Sequence, residues 1–113
     1  MTNKAVAVAV GLAFAMLASS ASFAATDEHL AAAVKHTEQA MNSGYLGDPD
    51  GVVRHAEDAI TQAKESEKAT NNEHTKQGIQ HLTAAVAEAQ KGDTQAARKH
   101  AVEALNHLNA AGK

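Results

Sequence analysis

Seven histidines, His29, His36, His55, His74, His81, His100 and His107, carry most of the chemical potential of this 113-residue chain. Neutral imidazole is a good ligand for Cu(II), Ni(II) and Zn(II), and it is also the side chain that titrates nearest to neutrality. Carboxylates extend the donor set. Asp58 lies three residues after His55, and Glu103 lies three after His100 and four before His107. On a helix those spacings put acid and imidazole on one face, and His100, Glu103 and His107 form the best cluster that one helix can offer. The same spacing also occurs on ordinary solvated faces, so the acids are candidates only if imidazoles converge on them. A metal–nitrogen bond is ~2.0–2.1 Å, whereas histidines seven apart are ~10.5 Å apart along a helix axis. Shared coordination therefore calls for rings from neighbouring helices.

What the chain lacks narrows the chemistry further. It has no cysteine, which removes disulfides, thiolate metal sites, iron–sulfur clusters and c-type haem attachment. Lys4, the apolar run Ala5 to Ala18 and the small residues of Ser22-Phe23-Ala24 read as a secretory signal peptide over residues 1–24, cleaved after Ala24. Both phenylalanines fall in that leader, so residues 25–113 keep Tyr45 as their one aromatic and Met41 as their one methionine. One aromatic offers no stacking platform for single strands, and a formal charge of −3 disfavours a phosphate-binding surface. The expectation is an exported, periplasmic monomer with no nucleic-acid partner and no membrane partner once the leader is removed. No Glu-x-x-His motif, Gly-rich phosphate loop or nucleophile motif occurs in the sequence, so an enzyme is not expected.

The elements that position these histidines follow from an internal repeat. Shifted by 45 residues, His29 falls on His74, His36 on His81, His55 on His100, and Gly47-Asp48 on Gly92-Asp93. The repeats run over 29–68 and 74–113. Each contains two copies of a shorter unit: a histidine, an alanine four residues on, and an apolar residue after it. Apolar residues recur at 4-3-4 spacing, as in Leu30, Val34, Thr37 and Met41, which predicts one helical stripe per unit. Glycines 44, 47 and 92, the Asp48-Pro49 start and Asp93 mark the boundaries. The expected fold is all-α: an antiparallel, up-down-up-down four-helix bundle, occupying residues 25–113 and built from a duplicated helical hairpin. Its core is lean, with much alanine.

With Val34, Val53, Ile79 and Arg98 taken as heptad position a, all seven histidines fall at c, on the outer flank of the stripe. In an antiparallel hairpin, residues equidistant from the turn share a height. That pairs His36 with His55, His81 with His100, and His74 with His107; the fourth pair is His29 with Gln62. The flanks that meet can belong to helices within a hairpin or to helices of different hairpins.

Four segments carry a resemblance at this point: Val34-Lys35-His36-Thr37-Glu38, Val53-Arg54-His55-Ala56-Glu57, Gly78-Ile79-Gln80-His81-Leu82 and Lys99-His100-Ala101-Val102-Glu103-Ala104. As a repeated set they resemble the small metal-binding protein family of bacterial periplasms, from about His29 to Leu108. The resemblance implies a histidine-rich four-helix bundle that binds divalent metals, notably copper, and scavenges or buffers them. Where members of that family carry further histidines, this chain has Ser43, Gly47-Asp48, Gln62, Ala89 and Asp93. The candidate ligands are the seven histidines with Asp58 and Glu103; Cu(II) is the first candidate ion, followed by Ni(II) and Zn(II). The alternative is a non-enzymatic interaction protein or chaperone-like bundle, which would need an exposed apolar groove.

Overall fold

The computed structural model describes residues 27–113; the leader expected over residues 1–24 lies outside the described residues. The described residues form four α-helices: α1 (Glu28–Tyr45), α2 (Pro49–Thr70), α3 (Glu73–Gln90) and α4 (Thr94–Ala111). Among the described residues there is no strand. The starts of α1 and α3, and those of α2 and α4, are separated by the same 45 residues that relate the histidines.

Local chemistry explains the boundaries. Each helix begins with a side chain that accepts a hydrogen bond from an otherwise unpaired backbone N–H. Asp27 caps α1 through Leu30 N, Asp48 caps α2 through Gly51 N, Asn72 caps α3 through His74 N, and Asp93 caps α4 through Ala96 N. Pro49 occupies the first turn of α2, where its missing N–H costs nothing. Gly47 and Gly92 turn the chain with positive φ, as does Asn71 at the C-terminus of α2. Gly44, expected to end α1, instead lies buried in its last turn. A Cβ on it would sit 2.9 Å from Arg98 Cβ, so this glycine lets α1 and α4 approach closely.

The centre of the core is rotated from the expected stripe. Fully buried positions are Ala33, Thr37 and Ala40 in α1; Val52, Ala56, Ala59 and Ala63 in α2; Leu82 and Ala85 in α3; and Ala97, Ala101, Ala104 and Leu108 in α4. These are heptad positions d and g. The larger side chains at a (Val34, Met41, Val53, Ile60, Ile79 and Val86) are only half-buried, as is Arg98. The reason is steric: the side chains at d and g are mostly small, with Val52, Leu82 and Leu108 as exceptions, so the helix axes come together and most bulky groups sit beside the line of closest approach. On a helical wheel, positions a and c lie about 90° and about 70° from the d/g centre, on opposite sides. Every helix thus has an alanine-rich centre, an aliphatic flank and a histidine flank.

Helix contacts are those of a four-helix bundle. α1 packs on α2 and α4, α3 packs on α2 and α4, and only a slight contact crosses the diagonal from α2 to α4. The aliphatic flanks line the α1/α4 and α2/α3 grooves, where Val34 lies near Leu108 and Ile79 near Lys64. The histidine flanks are left to meet within each hairpin.

Candidate metal centre

Two seams of imidazoles run along the bundle, one between α1 and α2 and the other between α3 and α4. In the first, the His36 and His55 rings lie with centroids 6.5 Å apart and nearly parallel. Both are half-buried, because position c adjoins the buried d position. Asp58, one turn beyond His55, completes a group of three whose ligand atoms lie within 4.8 Å of one another. His36 donates its Nδ1–H to Gln39 Oε1 at 3.0 Å, which leaves Nε2 with the free lone pair and fixes the ring. A hydrogen bond of this kind orients a metal-ligating histidine. His55 Nδ1 is buried without a hydrogen-bond partner. An orphaned ring nitrogen beside a second imidazole and a carboxylate fits a cation.

At the other level of this seam, His29 donates Nδ1–H to Gln62 Oε1 at 2.8 Å. His29 is exposed, and no second imidazole faces it there. The nearby Glu65 carboxyl is held below its ordinary value by its hydrogen bond and charge pairing with Lys68, with a smaller contribution from His29, and the Lys68 ammonium is raised by the same contact. This pair is exposed at 2.9 Å and has little weight in the site.

The second seam is denser. His74 and His107 approach with Nδ1 atoms 3.5 Å apart and ring centroids 5.7 Å apart. His81 and His100 have centroids 5.8 Å apart. His107 also stacks on His81, at 5.4 Å and 11° between planes. The four rings therefore form a ladder that alternates between helices, in the order His74, His107, His81, His100. Glu103 reaches the middle of it: His81, Glu103 and His107 form the second group with ligand atoms within 4.8 Å. Two nitrogens 3.5 Å apart are spaced suitably for bonds of ~2.0–2.1 Å to one ion, so this seam also fits a cation.

The structure brings together the three histidine pairs and the His29–Gln62 pair that equal heights suggest, and it places all of them within hairpins. It differs on the single-helix cluster. Glu103 and His107 group with His81 of α3, and His100 is not in that group. Sequence reasoning also missed two features. One is the His81–His107 contact, which lies outside the equal-height pairing. The other is Gln39, whose role could have been read from its position three residues after His36.

No curated protein matches this chain. The family model described as small metal-binding protein matches residues 3–111. With nearly the full chain covered, and with two histidine–carboxylate groups able to hold a cation, the protein belongs to the small metal-binding protein family.

Proposed function

We propose that the protein binds divalent transition-metal ions in the bacterial periplasm, Cu(II) first and Ni(II) or Zn(II) second, and scavenges or buffers them without catalysis. The carrying observation is the pair of three-donor groups, His36/His55/Asp58 and His81/Glu103/His107. Imidazole with carboxylate suits all three ions, and Cu(II) forms the tightest complexes in the divalent series. His74 and His100 serve as outer ligands of the α3/α4 seam, and His29, held by Gln62, is a reserve donor beside the α1/α2 group, so the nine candidate residues fall on two seams. An antiparallel up-down-up-down course supports this reading. Where neighbouring helices touch, the residue number climbs on one as it falls on the other: His29 meets Gln62 while His36 meets His55, and Leu30 lies by Gly112 while Gly44 lies by Arg98.

The leader motif of residues 1–24 supports export, with residues 25–113 as the mature monomeric domain and two hairpin repeats within it; among the described residues no helix is long and apolar enough to cross a membrane. The chaperone-like alternative lacks a surface: among the described residues the exposed large hydrophobics are Tyr45 and Leu46. Isothermal titration of residues 25–113 with Cu(II) tests the proposal. Binding that is lost in the H36N/H55N/H81N/H107N variant supports it, and unchanged binding in that variant refutes it.

A further inference from the structure

The four-rung ladder between α3 and α4 cannot use all its contacts at once. A neutral imidazole has one lone pair, because its other ring nitrogen carries the proton. His107 faces His74 Nδ1 at 3.5 Å on one side, and on the other it belongs to the group with His81 and Glu103. His81 is likewise placed between His107 and His100. One lone pair per ring leaves two arrangements. In the first, a single ion takes His81, Glu103 and His107, and the end rungs His74 and His100 stand aside. In the second, two ions take the outer pairs His74/His107 and His81/His100, and Glu103 remains with the His107 ion or returns to solvent.

We infer that the α3/α4 seam is a two-register site: the first ion occupies the central His81/Glu103/His107 set, and a second ion drives both outward to the His74/His107 and His81/His100 pairs. The inference rests on the metal-binding reading above and adds how this surface responds to load. The central register has three donors for one ion, whereas the outer register divides four imidazoles between two ions. The first ion therefore binds more tightly than the second, and the second weakens the first by taking one of its ligands. No side chain needs to travel far, since each shared ring already contacts both of its partners. The α1/α2 seam lacks this behaviour. Gln62 stands where the ladder would continue and engages His29 through its amide oxygen, leaving His36 and His55 one register.

The test uses residues 25–113 carrying H29N, H36N and H55N, so that only the α3/α4 seam binds, titrated with Cu(II) by calorimetry and by electron paramagnetic resonance. The expected result is two unequal steps totalling two ions, with the spectrum of the first ion changing when the second is added. E103Q in the same background should weaken the first step by roughly tenfold while the total stays at two. H100N should reduce the total to one. Two equal, independent steps unaffected by E103Q would overturn the two-register inference while leaving metal binding intact. Failure of any ion to bind, in this background and in the unsubstituted chain, would overturn both.

Discussion

At the scale of single residues, the difference between the two seams comes down to position 62. The α3/α4 ladder has His107 at the place where the α1/α2 seam has Gln62, and His29 is left donating to an amide oxygen. Replacing Gln62 with histidine should extend the α1/α2 seam into a ladder, and calorimetry with Cu(II) should show the total bound rising by one ion. Gln39 acts through His36: Q39A should weaken the α1/α2 ion by about 10-fold while leaving its stoichiometry unchanged, as loss of an orienting hydrogen bond does at other histidine ligands. Binding at every rung requires neutral imidazole, so protons compete with the ion. Affinity should fall as pH drops below about 6 and recover on return to neutrality; a pH series of titrations checks the direction. Most of this chemistry was legible from numbering alone, because helices that fold back on one another bring equal heights together. The His81–His107 stack was not, since the equal-height rule pairs each of these rings with a different partner.

At the scale of elements, caps and turns were readable while the rotation of the helices was not. Asp48 and Asp93 sit at the helix starts their side chains prescribe, and D48A should lower stability by about 1 kcal/mol in thermal or denaturant unfolding. The 4-3-4 stripe treats positions a and d alike, so Val34, Ile60, Ile79 and Val86 count equally with Thr37 and Leu82. Full burial goes to d, as at Thr37 and Leu82, and to g, as at Ala33, Ala40 and Ala59, since close axial approach favours the small groups at g, and pattern reading takes alanine for a neutral filler. Gly44 makes the same point. G44A should destabilise despite alanine's better helix propensity, because the new Cβ would press on Arg98 Cβ and on Thr94 O. A lower thermal midpoint checks this, and a higher one would show that α1 and α4 have room to move apart. The rotation also explains the site: it brings position c close enough to the d/g centre to half-bury His36, His55, His81, His100 and His107.

At the scale of the molecule, aliphatic and histidine seams alternate around the bundle. Apolar contacts join the hairpins to each other across α1/α4 and α2/α3, while the candidate ligand groups bridge the helices of one hairpin. Because the buried core consists mainly of alanine, apolar burial per residue is small and the metal-free fold is correspondingly modest in stability. An ion held at a donor group binds the folded chain in preference to the unfolded one, so Cu(II) should raise the thermal midpoint, by an amount that grows with free ion concentration, and a chelator should reverse it. The function turns on which imidazoles take the metal. Cu(II) is paramagnetic and broadens the signals of nuclei near it, so histidine-ring NMR of residues 25–113 under substoichiometric Cu(II) reads the ligands directly. The prediction is early loss of the His36, His55, His81 and His107 ring signals, with His29 retained. Uniform fading of all seven, or early loss centred on His29, would contradict it.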